Sequence, residues 1–567
     1  RAVGPRLSAF GITGAAADPR LEVYRNGVKA ADTRSNAVFV GAALALVADE
    51  RVPTTPEWQL AEFERLAPEI TPEAVWQALL ADAAPLEEPL IRFEGRTAPE
   101  GGEAALRAAF DEGLALPVAV PADSGPLAFG YTDFGPSGTV VADTREPRLG
   151  FRFVTFANGV RLTIKRTDVR KDRVAFALAV DGGDLMNTRE APLATSLADS
   201  LAAGGLGRHS QDELASVLAG RSVSFTLSSS IDAFTASATT TPRDLALQMQ
   251  VLAATLTDPG YRQEGVERFR KNIENAYRSL DATPRSALGN ASGAILSDND
   301  PRFSLPAKEA FLALDYAGLK ATIGDRLARG AIELALVGDI DEDVAIAAVA
   351  ATLGALPQRE PSFNRREDNR QRRFTATRGE RILTHKGEPD QALLQWVWPT
   401  TDDRDLAEGQ RLDLLSRVVR IELTESLREK LGQAYSPSAA SITSHTYPGY
   451  GTFSIQAAVA ADKVEPVKAA VAQLVADLAA KPLDGDVIER ARKPWLEEYS
   501  NALKDLGGWL GLAARAQSEP DRLDRFLAAP EGMRAITPED IRDIAARYLK
   551  PGEAVAFTVL PAKPAAP

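Results

Sequence analysis

The stretch DLALQMQVLAATLTDPGYRQEGVERFRK, Asp244 to Lys271, decides how this 567-residue sequence is read. It lies without a gap on PVKAAVAQLVADLAAKPLDGDVIERARK, Pro466 to Lys493. Leu245, Met249, Leu252 and Leu256 fall on Val467, Val471, Leu474 and Leu478, and this four-three-four spacing makes one apolar helical stripe in each copy. A second helix follows, with Glu267-Arg268-Phe269-Arg270-Lys271 against Glu489-Arg490-Ala491-Arg492-Lys493. Upstream of each stripe runs a β-like segment, FTASATT from Phe234 and FSIQAAV from Phe453. Two copies of one α+β unit are therefore present.

A third copy shows in part. EITPEAVWQALLADAAPLEEPLIRFEG (Glu69 to Gly95) parallels AITPEDIRDIAARYLKPGEAVAFTVLP (Ala535 to Pro561). In both, Thr71 or Thr537 can cap a helix that begins with Pro72 or Pro538, and a final strand is expected after it. Above it, EVYRNGVKAADTRSN matches EEYSNALKDLGGWL in placement. The front half of this unit has no counterpart upstream, and the chain starts at Arg1 without a methionine or signal peptide. The expectation is two full modules plus the back half of another, in a fragment of something longer.

Composition narrows the function. Hydrophobic residues at 45% and charged residues at 25% are ordinary for a soluble multidomain protein. The net charge of -13 argues against a nucleic-acid partner, because no basic stripe stands ready to neutralise phosphates. The absence of cysteine excludes disulfides and thiolate metal sites. No apolar run approaches the roughly 20 residues of a membrane helix. Gly, Pro and Asp between Pro117 and Pro147 read as a linker with room for one short hairpin, and FRFVTFANGVRLTIKRT then opens the next unit as a hairpin on Asn158-Gly159, the preferred type I′ pair. A second linker runs from about Gln358 to Thr377; ALLQWVWP is a strand of the last unit, and Ser210-Gln211-Asp212-Glu213 a capping box.

The module-opening FANGVRLTI, the repeated strand–helix–helix pattern and the string LREKLGQAYS resemble the pitrilysin/insulinase family of zinc metallopeptidases. The resemblance implies an α+β fold of mainly antiparallel sheets packed against helices. Four such modules form a two-halved clamshell around a peptide. On that basis 1–116 is the C-terminal part of module two and 117–150 a linker. Residues 151–357 are module three, 358–377 a linker and 378–567 module four. The family's zinc motif, H-x-x-E-H, belongs to the first module; two histidines four apart share the metal and the glutamate serves as base. Here the matching helix reads PLATSLADSLAAGG, Pro192 to Gly205. Thr195, Ala198 and Asp199 stand where the histidines and base would be, with Glu274 near the distal ligand position. No metal site is expected on this chain. His209, His385 and His445 lack a partner at helical spacing and read as surface or loop residues.

The resemblance also implies that Arg428 and Tyr435 contact the peptide and its transition state. A guanidinium offers fixed donors to a peptide carbonyl and a phenol can donate to an oxyanion. Tyr447, Tyr450 and Trp396 are secondary candidates, while Trp398 and Trp495 read as packing. The expected function is the non-catalytic C-terminal part of a zinc metalloendopeptidase, inactive alone. Its partners are an N-terminal catalytic half that holds the zinc and a peptide substrate, with a periplasmic location implied by bacterial relatives. The alternative is a metal-free scaffold or assembly subunit that binds peptides.

Overall fold

The computed structural model describes residues 14, 20–34, 36–50, 52–82, 90–95, 97–117, 128–431 and 437–562. They form two compact units, Arg1–Phe129 with Glu213–Arg221, and Gly130–Asp212 with Ser222–Pro567. The first unit contains helices α1 (Arg20–Lys29), α2 (Asn36–Ala48), α3 (Pro56–Leu66), α4 (Pro72–Asp82) and α5 (Gly102–Ala115). Thr55 caps α3 by accepting from the Trp58 N–H at 3.2 Å, and Thr71 accepts from the Ala74 N–H at 3.1 Å as α4 begins. The Tyr24 and Phe63 rings, 5.2 Å apart, join α1 to α3. Of the segment expected to form a strand after α4, residues 83–89 lie outside the described residues, and Leu90–Gly95 has no ladder partner among them.

The second unit opens with β1 (Val140–Glu146), β2 (Phe151–Phe156), β3 (Arg161–Arg166) and β4 (Val174–Asp181). Along the chain, helix α6 (Gln211–Val217), most of which belongs to the first unit, is followed by β5 (Ser228–Ser229) and β6 (Ala233–Thr240) of the second. Next come α7 (Leu245–Thr257), α8 (Gln263–Arg278), α9 (Pro284–Leu296), α10 (Lys308–Leu312), α11 (Tyr316–Arg329), β7 (Ile332–Gly338) and α12 (Glu342–Ala350). The second repeat contains β8 (Gly379–His385), β9 (Gln391–Thr400), α13 (Leu406–Leu431), β10 (Ser438–Thr443) and β11 (Gly451–Ala460). It ends with α14 (Val464–Ala480), α15 (Gly485–Ala502), α16 (Leu506–Ala513), α17 (Arg522–Ala535), α18 (Pro538–Tyr548) and β12 (Val555–Pro561).

Two sheets result, ordered β1-β2-β3-β7-β4-β6-β5 and β10-β11-β9-β12-β8. Read from β8, the second repeats the run β3-β7-β4-β6-β5. The first pair of each is parallel, β3 with β7 and β8 with β12, and the next two pairs are antiparallel. The repeat seen in the sequence is thus a repeat of topology. The first sheet adds β1 and β2, and β1 lies within the stretch read as linker. The hairpin between β2 and β3 is not type I′. Gly159 has φ +90°, but Asn158 is not among the residues with positive φ. The loop is closed by Phe156 N–H to Val160 O (2.9 Å) and Gly159 N–H to Phe156 O (2.9 Å), a three-residue loop with one left-handed glycine. Asn158 is instead fixed by its amide, which donates to Leu353 O at 2.9 Å and Leu356 O at 3.0 Å.

Each sheet carries its own helices on one face. Helices α7 and α11 cover the first sheet through Met249, Leu252, Ile323 and Leu327; α13, α14 and α18 cover the second through Leu415, Val471 and Ile544. The opposite faces are exchanged. Leu506, Leu512 and Ala513 of α16 pack on Phe151, Ala175, Ala335 and Val337 of the first sheet. Ala287 and Leu288 of α9 pack on Leu393, Val397, Val555, Phe557 and Val559 of the second. The central strand β7 is buried along its whole length, which explains its nearly continuous apolar sequence IELALVG. Its one charge, Glu333, is 1% exposed and accepts the backbone N–H groups of Gln517 (2.8 Å) and Ser518 (3.1 Å), just beyond α16.

Because each repeat completes the other's core, the second unit is expected to unfold as one. Leu288→Ala and Leu512→Ala should each cost about 2–5 kcal/mol. Urea titrations followed by circular dichroism and by tryptophan fluorescence should give coincident midpoints in both variants; separated midpoints would show that the repeats fold independently.

Candidate functional site

Helix α13 is anchored by Leu412, Leu415, Val419, Leu423 and Leu427 in the second core, and Leu427 is 1% exposed. Arg428 is the next residue, in the closing turn of α13, and Tyr435 lies outside the described residues. The chain is described again at Pro437, after which β10 runs as an edge strand paired with β11 from Ser438↔Gln456 to Thr443↔Gly451. The elements flanking the expected pair are thus a buried helix and an edge strand. The pair's mutual geometry is outside the described residues.

The segment matched to the zinc helix does not form an α-helix. Pro192–Leu197 runs in turns and Ala198–Gly204 is a 3₁₀-helix, so residues four apart do not share a face. Thr195 is fully buried, and its hydroxyl lies 2.9 Å from Asp184 Oδ1. Asp184 also accepts from Ser229 Oγ at 2.6 Å, while Asp199 accepts the Ser229 N–H at 2.8 Å. Burial raises the Asp184 carboxyl above its ordinary range, against the hydroxyl donors of Ser229 and Thr195. This is a hydrogen-bond network that holds β5 to the 3₁₀-helix. Glu274 is exposed on α8. Among the described residues, no group of three or more His, Asp or Glu side chains is placed to hold a metal ion.

Of the three histidines, His385 departs from the surface or loop position expected; His209 lies in a loop but is buried there, and His445 is exposed. His209 is 5% exposed and its Nε2 accepts the Gly130 N–H at 2.8 Å. His385 ends β8, 1% exposed; Nδ1 accepts from Gly387 N–H at 3.0 Å, so Nε2 carries the proton to Gln391 O at 2.8 Å. Both are buried because each ring satisfies backbone groups where a chain segment turns. His445 is exposed, as read, with Nδ1 2.8 Å from Asp403 Oδ2 and Nε2 4.0 Å from Glu519 Oε2.

His445 lines a cavity of about 810 Å³ formed where both repeats and the segment between them meet. Asp232 there faces Arg515 (3.5 Å) and Arg370 (3.7 Å), and Asp403 faces Arg525 (3.5 Å). Arg515 holds φ +61° and stacks 3.7 Å from the Phe363 ring centre. Burial opposes the charge on Asp402, but Arg404 and the Gly449 N–H outweigh it, leaving the carboxyl below its ordinary value. Acids and bases are closely matched, which suits holding the repeats together. Sequence reading missed this cluster because its members come from distant stretches with no shared local pattern.

The secondary aromatic candidates are packing residues. The Arg372 guanidinium lies 4.4 Å from the ring centres of Phe303 and Tyr450 and 5.9 Å from that of Tyr447. Trp396 packs against the second core, and Trp398, 3% exposed, donates to Lys550 O at 3.3 Å. Trp495 stacks on Tyr499 at 5.7 Å. Beside this cage, Arg302 binds Asp300 at 2.7 Å and also donates to Asn369 O (3.1 Å) and Gln371 O (2.8 Å).

With this geometry in view, residues 314–494 match the family described as peptidase M16 inactive domain. The whole chain is similar in structure to the periplasmic protease PqqL from Escherichia coli, with TM-score 0.66 and 15% identity over 96% of this chain and 60% of that one. It is similar also to the ferredoxin protease FusC, solved as an E83A mutant in complex with Arabidopsis ferredoxin (TM-score 0.63, 16% identity, 94% of this chain and 58% of that one). A peptidase M16 inactive domain from Pseudomonas fluorescens gives TM-score 0.58 and 16% identity over 74% of this chain and all of that one. A search of curated proteins by sequence returned no match. The family match covers about a third of the chain, and the fold of two mixed sheets packed against helices is the one these solved proteases show. The chain spans about 60% of the length of the first two relatives.

The Asp300–Arg302 pair yields a pH expectation. Arg302 holds the Asp300 carboxyl at about 2, against an ordinary 3.8. A depressed folded value stabilises fully above the unfolded value and is lost as pH falls from about 4 to 2. Asp300→Asn should lose about 2 kcal/mol at pH 7 and show a flatter acid limb. Urea titrations at pH 7, 4 and 2.5 test this; an acid limb as steep as in the parent chain would contradict it.

Proposed function

We propose that this chain is the non-catalytic C-terminal part of a zinc metalloendopeptidase of the pitrilysin/insulinase type, forming one half of a chamber that encloses a peptide. The observation that carries the reading is the M16 inactive domain at 314–494, set in a fold that follows M16-type proteases over nearly the whole chain. A catalytic half, on the same or a separate polypeptide, supplies H-x-x-E-H and the zinc. This chain supplies wall, enclosure and substrate contact, so substrates are peptides or unfolded proteins small enough to be enclosed. Arg428 donates to a peptide carbonyl and Tyr435 to the oxyanion that develops during hydrolysis. The placement of Arg428 at the closing turn of a firmly packed helix supports this role. A periplasmic location fits the PqqL likeness, and among the described residues no helix is long and apolar enough to cross a membrane.

In the protein assembled with its catalytic half, Arg428→Ala and Tyr435→Phe should each lower kcat for a fluorogenic peptide by about 10- to 1000-fold with little change in melting temperature. Unchanged turnover in both variants would remove these roles. The chain alone should hold less than about 0.1 zinc per molecule by elemental analysis and cleave no peptide; stoichiometric zinc on it would overturn the division of labour.

A further inference from the structure

Arg359, in the segment that follows α12, is 2% exposed, the lowest figure for an arginine among the described residues. A buried guanidinium is costly unless an anion meets it. Arg492, the next most buried, has Glu489 as its partner. Arg359 has no such partner among the described residues. Its one side-chain hydrogen bond runs from Nη1 to Leu327 O at 2.6 Å, and its Nε is buried without a partner. Burial pushes the guanidinium down to about 10, with no neighbouring charge to offset it. Leu327 O lies in the last turn of α11, and a neutral donor would serve that carbonyl as well.

Arg359 lines a cavity of about 270 Å³ formed by the end of α7, the loop from α7 to α8, the second half of α11 and Pro357. Leu256, Pro259, Leu327 and Ala328 make the wall apolar. Lys320 adds a second cation, its Nζ 5.5 Å from the ring centre of Tyr261, which also lines the cavity. Tyr261 holds φ +47°, a strained backbone for a bulky residue. The one carboxylate on the wall, Asp258, is engaged elsewhere: it accepts the Tyr131 hydroxyl at 2.7 Å and lies against Gly207.

These features select a ligand. A carboxylate matches the guanidinium fork and can take two parallel hydrogen bonds from it. Free phosphate would leave oxygens against Leu256 and Pro259 without donors, whereas an organic body would bury apolar surface there. An apolar cavity of about 150 Å³ takes up benzene, so this one has room for an aromatic or branched aliphatic group as well as the charge.

We propose that this cavity binds a monocarboxylate with a compact apolar body, the carboxylate on Arg359 and the body against Tyr261 and Leu256. Small free acids and the C-terminal residue of a peptide share that chemistry. The site lies wholly within the first complete repeat and goes beyond the proposed function, because binding there needs neither zinc nor a catalytic half.

Titration calorimetry on the full chain tests it with phenylacetate, phenylacetamide and inorganic phosphate. One equivalent of the acid should bind, about tenfold or more tighter than the amide or phosphate. Arg359→Met removes the charge at similar length; it should weaken the acid by about tenfold or more with no fall in melting temperature, since an unpaired buried charge is gone. Gly324→Leu extends from the wall where an added Cβ meets only Lys320 Cγ at 4.0 Å, and should weaken the acid likewise by filling the space. A short peptide ending in phenylalanine that binds tighter than phenylacetate, and loses this as its C-terminal amide, assigns the site to peptide ends; weaker binding of the peptide assigns it to free acids. Equal binding of acid and amide overturns the inference, as does phosphate binding as tightly as the acid, or no acid bound at about 1 mM. Undiminished acid binding in Arg359→Met also overturns it and leaves Arg359 as a helix cap. If Arg359→Met does not fold, the acid–amide comparison and Gly324→Leu decide. Each of these outcomes leaves the proposed peptidase role standing, since none reads zinc or cleavage.

Discussion

Two-sided burial of the central strands is the constraint on which the larger unit depends. Strands β7 and β12 each join a parallel neighbour to an antiparallel one, and each places apolar side chains on both faces. A sheet's own helices can cover one face. The other must be dried by something else, and here each repeat lends a helix to its twin. Buried apolar surface is the dominant favourable term in folding, so neither repeat completes its core alone. The same exchange carries Gln517 and Ser518 to Glu333, whose buried carboxylate would otherwise lie unsatisfied at the middle of the first sheet.

That arrangement separates holding from chemistry. Where the family resemblance would place a zinc-motif helix, a 3₁₀-helix and the Asp184–Thr195–Ser229 hydrogen bonds give structure to the end of the first sheet. Where the two repeats and their connecting segment meet, matched charges and the Arg372 cage hold the joint. At the end of β4, fully buried Asp181 is bound by Arg326 at 3.0 Å and Arg366 at 2.7 Å. Burial opposes its ionisation, but the two guanidiniums keep it below the ordinary range, tying the connecting segment to the first repeat.

Much of the fold was legible because apolar periodicity and helix caps are local signals. The stripes at Leu245–Leu256 and Val467–Leu478 lie in α7 and α14, and Thr537 caps α18 with Asp540 in a reciprocal pair. The misreadings share one cause. Asn158-Gly159 favours a two-residue turn, but the Asn158 amide is claimed by carbonyls near residue 355, almost 200 positions away. His209 and His385 carry no sign in sequence of the backbone groups they satisfy. PLATSLADSLAAGG has helical composition, and buried hydrogen bonds from Thr195 favour a tighter coil.

Sequence alone determined the repeat, the α+β class and the lack of an H-x-x-E-H string, because each depends on residue order along one chain. Tertiary structure alone decided which helix covers which sheet, since a stripe of leucines specifies that it must be buried and not against what. It also decided that the charged residues at the joint meet. Partners across space are set by the geometry of packing, which a one-dimensional pattern does not encode.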